Sequence, residues 1–156
     1  MIGPTLARDI MVTNLVTLSA EMDVFDGIGL LIKYRISGAP VVDENYSLLG
    51  VFSERCCMKV LIESAYEDLP SSKVSSYMDR APRTVTEETD LLTIAQIFKD
   101  SHYRRLPVVD NFKLIGQISR RDLLRSVHEY HRIAPDTETS LLYLSSLVAR
   151  EDSPIG

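Results

Sequence analysis

Cysteine is scarce in this sequence, and so is any excess of positive charge. Only Cys56 and Cys57 are present among 156 residues, and they are adjacent. A bridge between neighbours is strained because their Cα atoms lie too close for good disulfide geometry. Nor does the pair have the spacing of a zinc site. Two reduced thiols in a reducing compartment are the expected state. Lys and Arg number 17 against 22 Asp and Glu, for a net charge of −5. That balance disfavours a nucleic-acid partner, whose phosphates are held by clustered basic side chains. No apolar run approaches the ~20 residues that span a bilayer. The first 11 residues show neither a basic start followed by an apolar stretch nor a cleavage site. The expectation is a soluble, cytoplasmic protein with no membrane partner.

Recognisable catalytic patterns are also missing. There is no Gly-x-Ser-x-Gly elbow and no Gly-rich phosphate loop. His128-Glu129-Tyr130-His131 resembles a zinc-protease helix signature, but its histidines are three apart rather than four. A surface helix is the better reading of that stretch. No enzyme activity, catalytic cofactor or metal is expected.

What the sequence does have is an internal repeat. Pro40-Val41-Val42-Asp43 returns as Pro107-Val108-Val109-Asp110, and Gly50-Val51-Phe52-Ser53 returns as Gly116-Gln117-Ile118-Ser119. The offset is 67 residues for the first block and 66 for the second. One extra residue therefore sits in the first copy's turn, near residues 44–47. Upstream, Ile10-Met11 matches Tyr77-Met78, and Asp23 matches Asp90. Ordered blocks at a nearly constant offset define a repeat architecture.

Each copy reads as β-α-β-β-α. Short strands are expected at 15–18 and 84–86. Helices should follow at Asp23 and Asp90, where an acidic residue suits the helix dipole. Val24, Ile28, Leu31 and Ile32, like Leu91, Leu92, Ala95 and Phe98, have helical spacing. Strands are expected at 40–42 and 48–52, then at 106–109 and 113–118, with closing helices at 55–66 and 121–131. One such unit of about 60 residues would leave a sheet face bare, whereas two packed by their sheets can share a core. The expected organisation is a first repeat over 5–66, a linker over 67–73, a second repeat over 74–132 and a tail over 133–156. The tail carries a short amphipathic helix at 139–150.

The Pro-Val-Val-Asp strands, the Gly-Val-Phe-Ser and Gly-Gln-Ile-Ser strands, and the Asp9-Ile10-Met11 and Ser76-Tyr77-Met78 openings together resemble the cystathionine-β-synthase (CBS) domain family. The resemblance spans residues 5–130. It implies an α+β fold, a tandem CBS pair packed sheet to sheet with pseudo-twofold symmetry and one cleft per repeat. Such clefts often hold AMP, ADP, ATP or S-adenosylmethionine, and the pairs commonly form homodimers through their helices.

The family's ligand motif is Gly, an apolar residue, any residue, Ser or Thr, two variable residues, then Asp. The second copy fits it as Gly116-Gln117-Ile118-Ser119-Arg120-Arg121-Asp122, with Gln117 in the apolar place. An aspartate at a helix start can accept hydrogen bonds from both ribose hydroxyls, and Ser119 can add a polar contact near the phosphate. Tyr103, Arg104 and Arg105 precede the second Pro-Val-Val-Asp strand, where the family often carries basic residues facing phosphates. Arg120 adds charge, and Thr84, Val85, Leu106 and Pro107 would flank adenine, as the resemblance implies. Asp122 can equally serve as a plain helix cap, and the arginines as solvated surface charges.

The first copy departs from the motif, reading Gly50-Val51-Phe52-Ser53-Glu54-Arg55-Cys56. Cys56 replaces the ribose aspartate, Glu54 adds a negative charge, and Ile36-Ser37-Gly38 stands where the second copy has Tyr103-Arg104-Arg105. This cleft is expected to hold no nucleotide. The expectation is thus a regulatory module that binds an adenine nucleotide, AMP foremost, in its second repeat, and that acts on a regulated protein the sequence does not identify. The alternative is a dimerising interaction scaffold that binds no nucleotide.

Overall fold

The computed structural model describes residues 5–66 and 72–133. Helix α1 (Ala7–Ile10) opens the chain. The first repeat follows as β1 (Leu18–Ser19), α2 (Val24–Tyr34), β2 (Gly38–Val42), β3 (Leu48–Ser53) and α3 (Glu54–Tyr66). A 3-10 turn (Val74–Ser76) leads to the second repeat, with α4 (Leu91–Asp100), β4 (Arg105–Asp110), β5 (Lys113–Ser119) and α5 (Arg120–Ile133). The mixed α+β repeat is as expected. The tail helix at 139–150 lies outside the described residues.

Local chemistry explains where the elements start. The Asp23 carboxylate accepts a hydrogen bond from the Phe25 N–H, and that of Asp90 from the Thr93 N–H, so each caps its helix. β2 pairs antiparallel with β3, and β4 with β5; in both hairpins one residue, Leu49 or Ile115, is skipped by the register. The second hairpin turns through Asn111 and Phe112, whose φ angles of 48° and 68° are those of a tight primed turn. In the first, the Asp43 carboxylate accepts from the N–H groups of Asn45 and Ser47, both at 2.9 Å, and Tyr46 has φ 65°. The additional residue of the first copy is taken up in this wider turn.

The leading strands are shorter than expected. β1 pairs in parallel with β2 through Leu18 and Ser19 alone, and in the second repeat only Val85 bridges to Val108. Both lie at a sheet edge, where pairing on one side supports little length.

Buried residues form two clusters. The first gathers Leu18, Val24, Leu31, Ala39, Val41, Phe52, Cys57 and Val60, together with Val74 and Met78 from the opening of the second repeat. The second gathers Val85, Leu91, Ile94, Phe98, Leu106, Val108, Ile118 and Leu123, together with Ala7 from the opening of the first repeat. The openings are thus exchanged. Val12 and Gln117 trade two backbone hydrogen bonds (2.9 and 3.0 Å), and Val51 and Asp79 trade two more (2.9 and 2.8 Å). Ser72 and Lys73 also join the first repeat, since Val24 N–H donates to the Ser72 carbonyl and Lys73 pairs with Glu21.

The exchange explains two glycines. A Cβ on Gly116 would lie 2.6 Å from Met11 Sδ, and one on Gly50 would lie 2.5 Å from the Asp79 carbonyl oxygen. Each opening segment therefore rests on the glycine of the other repeat's strand, which locks the two copies together before any ligand is considered.

Candidate functional site

The exchange leaves one end of each hairpin to face the start of a closing helix. In the second repeat Arg105 is opposite Ser119, Leu106 opposite Ile118, and Pro107 opposite Gln117. The chain enters α5 directly from Ser119. There the Ser119 N–H donates to Asp122 Oδ2 at 2.8 Å, and the Asp122 N–H donates to Ser119 Oγ at 3.1 Å. This reciprocal pair satisfies two donors at the helix start, which is why Ser and Asp three apart fold this way. The second carboxylate oxygen of Asp122 lies 3.5 Å from Arg125 Nη1. Ser119 is half-buried and the Asp122 side chain is 14% exposed, so each retains some face toward solvent.

The remaining motif residues are distributed as follows. Val85 runs beside β4, donating its N–H to the Pro107 carbonyl and accepting from the Val109 N–H. Thr84 is half-buried next to it. The side chains of Leu106 and Pro107 are buried, so a ligand would meet mainly their backbone. Tyr103 stacks on His102 with ring centroids 4.6 Å apart. Arg104 is exposed, and its carbonyl accepts from the Arg120 N–H at 3.2 Å.

The basic side chains of the motif point in different directions. Arg120 turns back to α4, donating through Nη2 to the carbonyls of Phe98 and Ser101, both at 3.1 Å. Its guanidinium also lies 5.9 Å from the Phe98 ring centroid. A cation is favoured there by the carbonyl end of the helix, so this side chain has a structural occupation. Arg105 is half-buried and donates through Nε to Ser37 Oγ in the first repeat at 3.2 Å. Burial pushes its guanidinium pKa down, opposed by the negative charges of Asp122 and then Glu54. Arginine stays charged regardless.

The equivalent place in the first repeat has the same backbone and different chemistry. Cys56 takes the position of Asp122, with its N–H on Ser53 Oγ at 3.4 Å and its Sγ 3.4 Å from that oxygen. A thiol is a weak acceptor, and Glu54, exposed on the first turn, disfavours an anion. Burial pushes the neighbouring Cys57 thiol up to about 11, with the charges of Cys56 and Glu54 acting in the same direction. At the other end of the first repeat's strands an open groove of about 680 Å³ is lined in part by Glu21, Asp43 and Glu44, which does not suit a phosphate. Among the described residues no group of three or more His, Cys, Asp or Glu could hold a metal ion, and no helix is long and apolar enough to cross a membrane.

Sequence reasoning missed Ser37 and Glu54 as neighbours of Arg105. The repeat offset aligns Ser37 with Arg104, but nothing in the linear order says that Arg105 crosses between the copies.

Comparison with known proteins identifies the family and the fold. The CBS domain profile matches residues 7–63 and again 74–129. The chain is 27% identical over 118 residues to the uncharacterized protein MJ1225 of Methanocaldococcus jannaschii, covering 76% of this chain and 41% of that one. It is 28% identical over 153 residues to the chloroplastic CBS domain-containing protein CBSX2 of Arabidopsis thaliana, covering 81% of this chain and 63% of the relative. It thus spans about half the length of the curated relatives it matches. The crystal structure of CBSX2 in complex with AMP superposes with a TM-score of 0.72 at 28% identity, covering 80% of this chain and 97% of that one. With two consecutive matches over most of its length and the same fold, the chain belongs to the CBS-domain family as a tandem pair.

Proposed function

We propose that this chain is a regulatory module that senses an adenine nucleotide, AMP foremost and ADP or ATP as alternatives, in the cleft of its second repeat. The observation that carries the reading is the Ser119–Asp122 pair at the first turn of α5, set beside Arg105. Asp122 Oδ1, shared with the exposed Arg125, and the Ser119 hydroxyl proton are the groups that would meet a ribose and a phosphate. Arg105 supplies a planar donor fork for phosphate oxygens, and Arg104 is exposed next to it. Thr84, Val85, Leu106 and Pro107 would flank the base, and Tyr103 would border the site. Arg120 contributes less, because its Nη2 is held by the carbonyls of Phe98 and Ser101. The likeness to a relative solved with AMP supports the ligand class. The module performs no reaction itself, and its two free thiols fit a reducing compartment such as the cytoplasm.

The module is proposed to act as a homodimer on a separate regulated protein. Met58, Leu61, Ile62 and Tyr66 are 50 to 86% exposed along α3, and Leu124 and Val127 are exposed along α5. Their helical spacing gives apolar stripes suited to a partner helix. The same stripes favour the second reading, a dimerising scaffold without nucleotide.

A thermal-shift screen with AMP, ADP, ATP and S-adenosylmethionine separates the two. A ligand at 100-fold over its Kd adds about 2.7 kcal/mol, a rise of roughly 5 to 10 °C for a domain of this size. A rise with one adenine nucleotide supports the sensor; a flat panel with an unchanged dimer supports the scaffold.

A further inference from the structure

The degenerate first cleft is poorly built to bind a nucleotide, yet it touches the group proposed to bind one. Arg105 Nε donates to Ser37 Oγ at 3.2 Å, a side-chain hydrogen bond between residues 68 apart in sequence. Ser37 is itself fixed, since its carbonyl accepts from the Glu54 N–H at 2.8 Å at the start of α3. Among the described residues no carboxylate forms an ion pair with Arg105; Asp122 of the second repeat and, less strongly, Glu54 of the first act on its charge through space. Arg105 is thus shared between the copies. One of its donors is spent on the first repeat, in a partly desolvated place where charged hydrogen bonds are stronger than in water.

We propose that Ser37, fixed by the Glu54 N–H and with the Glu54 charge nearby, acts as a built-in competitor for the nucleotide phosphate, holding Arg105 to the first repeat until a phosphate takes it over. This rests on the reading of the second cleft as a nucleotide site. The replacement of the ribose aspartate by Cys56 and the gain of Glu54 then have one result: the first repeat regulates the second instead of duplicating it. Phosphate binding breaks a contact between the repeats, so occupancy is converted into a change in how they are held together. By linkage, whatever stabilises the Arg105–Ser37 contact weakens nucleotide binding by the same factor.

The test uses the full chain and two substitutions outside the proposed nucleotide contacts, Ser37→Ala and Glu54→Gln. Titration with AMP should give affinities about two- to five-fold tighter than the parent for each, the range of a partly exposed charged contact. The Glu54→Gln gain should shrink as salt rises. Unchanged or weaker AMP binding in both variants overturns the proposal, because Ser37 and Glu54 would then be bystanders or helpers. A nucleotide-free arm separates this failure from failure of the site. Thermal midpoints of Ser37→Ala, Arg105→Ala and the double variant should be non-additive if the contact holds the repeats together; additive midpoints overturn it even where AMP binds. If the parent binds no AMP, the nucleotide reading fails and the competition with it, while the non-additivity still decides whether the latch exists.

Discussion

Ser119 and Asp122 donate their backbone N–H groups to each other's side chains, at 2.8 and 3.1 Å, and so fix the entry to α5. Asp122 therefore has a structural task and a proposed ligand task at once. Asp122→Ala should remove both, costing about 1 kcal/mol of stability for the lost cap, or a fall of roughly 2 to 4 °C in Tm. Asp122→Asn, which can still cap, should keep most of the stability. Differential scanning calorimetry of the two variants without ligand checks the separation.

Arg120 and Arg105 should behave differently although Arg105 pairs in register with Ser119, the residue before Arg120. Arg120 holds the carbonyls of Phe98 and Ser101. Arg120→Ala should lower stability by about 1 to 2 kcal/mol and leave nucleotide affinity nearly unchanged once the folded fraction is taken into account. Arg105→Ala should cost AMP affinity tenfold or more, the range of a charged hydrogen bond. Equal affinity losses in the two variants would contradict the assignment of Arg120 to α4.

The exchanged openings predict unequal glycine substitutions. A Cβ at position 50 meets the Asp79 carbonyl, which is backbone, whereas one at position 116 meets the flexible end of Met11. Gly50→Ala should destabilise by about 2 to 3 kcal/mol and Gly116→Ala by about 1 kcal/mol. Urea unfolding with comparable m-values measures both, and a reversed order would count against the packing described.

Much of this was legible from the residues, because the signals were local. Asp23 and Asp90 stand at helix starts as caps, and the 66- and 67-residue offsets foretell a wider first turn, which Asp43 then builds. The exchange was not legible. Met11 and Met78 belong to the openings of their own repeats in sequence but pack on the other's glycine, and a sequence repeat looks the same whether its opening is kept or traded. Arg120 and Arg105 were hidden for a related reason. The motif gives their position at the hairpin end but not the rotamer, and hydrogen bonds to the Phe98 and Ser101 carbonyls and to Ser37 set where each guanidinium points.

The Cys57 thiol, pushed up to about 11 by burial, links stability to pH. Its unfolded-state pKa is near the ordinary value of 9.0. Between those values the folded chain keeps a proton that the unfolded chain has lost, so stability is full below about pH 9 and falls as pH rises toward 11. Cys57→Ala should flatten that part of the profile, which chemical denaturation at pH 8 and pH 10 would show. Cys57 should also resist alkylation at pH 8 while Cys56, less buried, reacts first.

The central claim is a single nucleotide site, in the second repeat, with Asp122 on the ribose. Isothermal titration calorimetry of AMP into the parent and into Asp122→Asn tests it most directly. The account predicts one site per chain in the parent and an affinity at least tenfold weaker in the variant, with the fold intact. Two equivalent sites per chain, full affinity in Asp122→Asn, or no binding to the parent by any adenine nucleotide would contradict it.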